Sequence, residues 1–167
     1  GTYGASILGD SACLVTGSTG ISAGTIQFKN INQSATSKNS ITASGSVLFN
    51  VYSNSFLGKV NFTAPNLVVK STTFGDSTSL TKTGSTLNNT WDGANVYDGV
   101  VTITNGNTST AYVKLASQNA DTYNKDVYFN AGTGAIQAAN AGTNIYNGNV
   151  TVNGNNVTFN TSGGTLK

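Results

Sequence analysis

One phrase of apolar positions returns along the chain: an aromatic residue, a short gap that usually holds glycine, then two apolar residues two apart. It reads Phe56-Leu57-Gly58-Lys59-Val60-Asn61-Phe62, then Tyr97-Asp98-Gly99-Val100-Val101-Thr102-Ile103. It returns as Tyr123-Asn124-Lys125-Asp126-Val127-Tyr128-Phe129 and as Tyr146-Asn147-Gly148-Asn149-Val150-Thr151-Val152. Gly58, Gly99 and Gly148 hold the same place in their copies, and Lys125 stands there in the remaining one, a departure that predicts a local change of turn. Phe74-Gly75-Asp76-Ser77-Thr78-Ser79-Leu80 is a weaker relative, and Tyr3 with Ile7 is a further candidate. The aromatic steps are 41 residues, which Phe74 divides into 18 and 23, then 26, then 23. Units of that size are too small to bury a core alone and do so only by stacking.

Within the units, alternation at Val150 and Val152, and again at Val157 and Phe159, predicts strands with one face inward. Turn pairs separate them, among them Asp92-Gly93, Asp98-Gly99, Asn105-Gly106, Asn147-Gly148 and Asn153-Gly154. No helical period of comparable length is present. The predicted fold is therefore all-β, and two architectures fit. In a β-solenoid (a parallel β-helix of short strands) each unit is one coil and Asn side chains form ladders along the turns. About eight coils at the strand spacing would give a rod roughly 40 Å long. In an antiparallel β-sandwich the Asn-Gly and Asp-Gly pairs would instead close hairpins. The coil-sized step, the wealth of Asn and a single proline favour the solenoid. Residues 1–167 read as a single all-β repeat domain, with clear repeats over 54–167. Over 1–50 the regularity is lower, marked by Ile26, Phe28 and Ile31 and by Val47, Phe49 and Val51. That first part joins the same stack, forms a different β-layer, or completes a neighbour's sheet.

Composition narrows the chemistry. Asn, Thr, Ser and Gly supply 86 of 167 residues, while His, Met, Arg and Glu do not occur. Seven Tyr, seven Phe and frequent Val and Ile favour an ordered pleated surface over disorder. General acid–base work near neutrality would fall to six aspartates, zinc or copper sites have no ligand cluster, and anion clamps have no Arg. The reading is no enzyme, no catalytic residue and no cofactor. A net charge of +2 with scattered lysines argues against nucleic acid, and no apolar stretch is long enough to span a membrane as a helix. The lone Cys13, beside Ala12, Leu14 and Val15, reads as a packed, inert thiol. The start at Gly1, without Met or a leader, suits a mature form or an excised fragment.

The phrases Leu80-Thr81-Lys82-Thr83-Gly84, Asn89-Thr90-Trp91-Asp92-Gly93-Ala94-Asn95-Val96-Tyr97-Asp98-Gly99 and Gly142-Thr143-Asn144-Ile145-Tyr146-Asn147-Gly148 carry a resemblance. With Val101-Thr102-Ile103-Thr104-Asn105 and Asp121-Thr122-Tyr123-Asn124, they resemble repeats of very large secreted surface proteins of Bacteroidetes-type bacteria. The likeness covers about residues 70–167. It implies a secreted, cell-surface role as a stalk, adhesin or filament, and no catalytic or binding residues.

The remaining candidates are side chains that suit a ligand. Asp92, Asp98, Asp121 and Asp126 are either turn caps or ligands of calcium, and Asp121 with Asp126 is the nearest pair for glycosidase chemistry. Trp91 is a core residue or a stacking platform for a surface glycan. Lys–Asn crosslinks need a nearby carboxylic acid. Ice binding needs a flat Thr-x-Thr array on successive coils, whereas Thr81 with Thr83, Thr102 with Thr104 and Thr108 with Thr110 fall at different places in their units. The expected partners are the chain itself, in a homo-oligomer or filament, or neighbouring repeats of the same protein.

Overall fold

The computed structural model describes residues 13–16, 25–36, 38–45, 48–140, 143–159 and 165–166. Tyr3, Ile7 and Val47 lie outside these, and of Cys13 only the strand backbone is described. The chain winds through three sheets in turn. The first holds β1 (Cys13–Thr16), β3 (Ile41–Ser44), β6 (Val60–Ala64), β9 (Thr78–Lys82), β12 (Val101–Asn105), β15 (Val127–Ala131) and β18 (Val150–Asn153). The second comes in two sections, β2 (Thr25–Lys29), β4 (Leu48–Tyr52) and β7 (Asn66–Lys70), then β10 (Asn89–Thr90), β13 (Val113–Lys114), β16 (Ile136–Ala139) and β19 (Val157–Phe159). The third holds β5 (Ser55–Phe56), β8 (Thr73–Phe74), β11 (Val96–Tyr97), β14 (Thr122–Tyr123), β17 (Thr143–Tyr146) and β20 (Thr165–Leu166).

Every strand pairing among the described residues is parallel. The protein is thus a β-solenoid, and the antiparallel sandwich is excluded. The Asn-Gly and Asp-Gly pairs turn corners between sheets rather than closing hairpins. Six three-strand coils run from β3 to β20, preceded by β1, β2 and a bridge from Asn32 to Ser55. This is fewer than the eight expected, because among the described residues the chain before β3 adds only that one further turn. The seven strands of the first sheet span about 29 Å at a spacing near 4.8 Å. The less regular first part of the chain enters the same sheets, through β1, β2 and β3.

From β5 onward the corner from the third sheet to the first is constant at three residues, 57–59, 75–77, 98–100, 124–126 and 147–149. Its middle residue presses on the coil before it. A Cβ at Gly58 would lie 2.3 Å from the Asn39 carbonyl oxygen, at Gly99 2.3 Å from the Asp76 carbonyl carbon, and at Gly148 2.3 Å from that of Lys125. Asp76 and Lys125 hold the same place in the intervening coils, so glycine alternates with a residue that has a side chain. The corner at Lys125 bends at Asn124 as well, the local change the sequence suggests.

Like residues stack on like inside the coils. In the first sheet Val60, Thr78, Val101, Val127 and Val150 share one inward row, and Phe62, Leu80, Ile103, Phe129 and Val152 the next. The repeat-defining aromatics make a third column. Phe56 and Phe74 lie 5.7 Å apart, Phe74 and Tyr97 5.0 Å, Tyr97 and Tyr123 4.9 Å, and Tyr123 and Tyr146 4.8 Å, the last three pairs stacked within 8° of parallel. Ring pairs of this kind add about 0.5–1.5 kcal/mol each beyond their burial.

The glycine contact yields a prediction. Gly99→Ala should destabilise the fold by roughly 2 kcal/mol or more, since backbone must move to admit the methyl. Gly106→Ala, whose Cβ would approach nothing closer than 3.7 Å, should be neutral or stabilise by up to about 1 kcal/mol. Denaturant melts of the two variants test the contrast, and equal effects would remove this account of the corner.

Candidate functional site

At the corner from the second sheet to the third, several coils place a non-glycine residue in the left-handed region: Asn30 (φ 57°), Ser53 (φ 54°), Ser71 (φ 48°), Ala94 (φ 57°) and Ala116 (φ 48°). Such residues cost about 1 kcal/mol or more each, and Ser53, Ser71 and Ala94 directly precede the buried polar side chains Asn54, Thr72 and Asn95. Two residues before each stacked aromatic stands Asn54, Thr72, Asn95, Asp121 or Asn144, all buried. Each accepts a hydrogen bond from backbone of the coil before. Asn54 Oδ1 takes the Ile31 N–H at 2.9 Å, Thr72 Oγ1 that of Asn54 at 3.5 Å, and Asn95 Oδ1 that of Thr72 at 3.2 Å. Asp121 Oδ1 takes the Asn95 N–H at 2.9 Å, and Asn144 Oδ1 that of Asp121 at 2.9 Å. The ladder satisfies donors that a turn inside the coil would otherwise leave unpaired.

Asp121 is the exception in this ladder, a carboxyl among amides. Burial raises its pKa to about 7, against smaller opposing effects from the Asn95 backbone and side chain and from the Tyr123 hydroxyl. The Tyr123 hydroxyl and the Asn95 side-chain amide stand near the carboxyl without closing a well-formed bond to it. Asp121 Oδ2, Asn95 Nδ2, Tyr97 OH, Tyr123 OH and Ser117 Oγ are all buried without a partner. Desolvation and the Asp121 carboxyl also push the Tyr97 and Tyr123 phenols well above their ordinary range. Tyr146, which donates to the Ala138 carbonyl at 3.1 Å, is pushed up to about 12, again chiefly by burial.

The other candidates separate. Asp126 is at the surface, where its Oδ1 accepts from the Asn149 backbone and side chain at 2.8 and 3.2 Å, so it does not share a cleft with the buried Asp121. Asp98 Oδ1 accepts from Asn124 at 2.7 Å, and Asn124 Oδ1 from Asn147 at 2.8 Å, an outer ladder on the constant corner. Asp92 pairs with Lys70 at 3.5 Å on the second corner. Trp91 is 1% exposed, its indole N–H donating to the Leu67 carbonyl. It bridges β7 and β10 where the second sheet is interrupted, and its ring offers a ligand no face. Lys82 is buried in line with Ala64 and Asn105, donates to the Gly84 carbonyl, and is held below the usual lysine range by desolvation. No carboxylate among the described residues pairs with it, so the acid that a Lys–Asn crosslink needs is not assembled there.

The outer face of the first sheet brings together residues that the sequence leaves scattered. Thr42, Asn61, Ser79 and Thr102 stand in one row across β3, β6, β9 and β12, and Ser44, Thr63, Thr81 and Thr104 in the next. Thr81 and Thr104 thus occupy equivalent places, so Thr81-x-Thr83 and Thr102-x-Thr104 do fall at different places in their coils, as the sequence suggests, and register pairs Ser79-x-Thr81 with Thr102-x-Thr104. A groove of about 430 Å³ crosses the same four strands at the first row. Position two before each aromatic was a legible signal for the inner ladder. The outer rows needed the register.

No protein-family model, curated protein or solved structure matches the chain. The class defined by the fold is a parallel β-solenoid with an aromatic column and an inner polar ladder.

The Asp121 carboxyl holds its proton more tightly folded than unfolded, its pKa rising from 3.8 to about 7. Its contribution is therefore fully present below pH 4 and is lost as pH rises through 7. The loss amounts to up to roughly 4 kcal/mol at 1.36 kcal/mol per unit. Asp121→Asn should remove that slope and raise stability at pH 8, because Asn fills the equivalent place in three other coils. Denaturant melts at pH 4, 6 and 8 check it; a wild-type profile flat across that range would sink the assignment.

Proposed function

We propose that the chain is a structural segment of an extracellular fibre or adhesive stalk, which works by extending a rigid stack of coils and meeting further coils end to end. The observation that carries this reading is the state of the last strand of the first sheet. Val150 and Val152 continue the inward rows of Val127 and Phe129, which are 1% and 0% exposed, yet they are themselves 40% and 43% exposed. Among the described residues β18 also has no strand on its outer edge. Core side chains and an unpaired backbone edge together form a template for another parallel strand. A second copy docking there forms a filament, and a following coil of the same polypeptide forms a stalk.

A secreted, cell-surface setting is supported by the resemblance of residues 70–167 to bacterial surface-protein repeats. The reading includes no catalysis, supported by a sequence without His, Arg or Glu.

Concentrated protein should associate end to end, giving fibres of constant width in negative-stain electron microscopy that disperse on dilution. Val152→Lys should weaken association at least tenfold in sedimentation, since a docked coil would bury an unpaired ammonium. The variant should melt close to wild type, because its site is already open to solvent. Strict monomers at high wild-type concentration would eliminate the filament form and leave only the stalk segment.

A further inference from the structure

The groove on the outer face of the first sheet is independent of the end contacts. Two rows of side chains line it, repeating coil by coil. Thr42, Asn61, Ser79 and Thr102 form one row, and Ser40, Lys59, Ser77 and Val100, each two residues earlier, the other. Neighbours along a row stand about 4.8 Å apart, and the two rows about 6.6 Å apart. The Thr102 row continues into Tyr128, on an outward position of β15 one strand beyond the groove. Val100 is 42% exposed and supplies an apolar patch among the hydroxyls.

We propose that this groove binds one chain of a neutral linear polysaccharide, laid along the coil axis with about one sugar unit per coil. Hydroxyl and amide side chains both donate and accept, so they complement a ligand that is itself a row of hydroxyls. The strand spacing is close to the rise of one pyranose unit in an extended chain, so each coil offers the next sugar an equivalent set of groups. Val100 and Tyr128 meet the apolar faces of sugar rings. Charge gives no selection for a polyanion. Lys59 is the one cation of the lining, and Asp76 beside it is held low chiefly by its bonds to the Ser77 N–H and hydroxyl, with smaller contributions from Lys59 and Lys38. A peptide strand is disfavoured because the groove lies over the face of a sheet whose backbone groups are already paired, whereas strand addition uses an edge. An ice plane is disfavoured because the surface is concave where flatness is needed.

The test is retention of the folded protein on insoluble cellulose, chitin and mannan, with soluble hexasaccharides of each as competitors. At least one polysaccharide should retain it, undiminished in 0.5 M salt. Ser79→Tyr, which fills the middle of the groove from an outward position, and Tyr128→Ala should each weaken retention at least tenfold. Both should keep the wild-type circular dichroism spectrum and melting temperature. Val152→Lys should retain wild-type binding, which separates this site from end-to-end association. The proposal is overturned if none of the three retains the protein, if both groove variants bind like wild type, if retention disappears in salt, or if thermal hysteresis of ice growth appears in place of retention.

Discussion

Stacking one parallel coil on the next at about 4.8 Å obliges every inward residue to sit on the equivalent residue of the coil before. That constraint decides what each row can hold. Apolar rows such as Phe62, Leu80, Ile103, Phe129 and Val152 satisfy it by packing, and the aromatic column satisfies it by ring stacking at the same interval. A polar residue in an inward row finds its partner across its own coil, as Lys82 does at the Gly84 carbonyl, or one coil away. The ladder from Asn54 to Asn144 is the second solution, each oxygen taking an N–H from the preceding coil.

The same closeness narrows the choice of residue in two places. At the constant corner the backbone of one coil touches the next, so Gly58, Gly99 and Gly148 leave no room for a Cβ. In the inner ladder an amide is ideal, because it accepts upward with its oxygen and stays neutral in a desolvated position. A carboxylate accepts equally well but brings a charge that burial penalises. Asp121 therefore keeps the geometry of the ladder while making one coil sensitive to pH in a stack where the amide and hydroxyl rungs do not titrate.

What the sequence discloses follows from which corners vary. The corner from third to first sheet is three residues long from β5 onward, so the aromatic before it and the apolar pair after it keep fixed spacing and are visible as a repeat. Register then pairs Ser55 with Thr73, Thr73 with Val96, Val96 with Thr122 and Thr122 with Ile145, the same steps as the aromatics themselves. The corner from first to second sheet varies instead: Pro65 alone between β6 and β7, but 106–112 between β12 and β13. Strands beyond it drift in sequence, and rows such as Val113, Ile136 and Val157 are not apparent by eye. Thr81 and Thr104 illustrate the same limit on the outside. Read as Thr-x-Thr phrases the pairs fall at different places in their units, and the row that joins Thr81 to Thr104 emerges only on counting from Phe74 and Tyr97. The groove was illegible for a further reason: it is assembled from single residues of four coils, none remarkable in its own segment.

Inside and outside are thus governed by different rules. Inward rows are coupled to their neighbours above and below, so a fault in one coil is felt chiefly by the adjacent two, as in any quasi-one-dimensional array. Outward rows share the register of the core but none of its packing, and a change from Thr to Asn or Tyr there leaves the stack intact. The progression Thr42, Asn61, Ser79, Thr102, Tyr128, Thr151 on one outer row shows that latitude directly, over inward neighbours that stay buried up to β15. A solenoid built this way holds a fixed periodic scaffold while its surface chemistry varies coil by coil. An elongated, repeating ligand is the kind that can use such a surface, because it presents the same groups at the interval the core imposes.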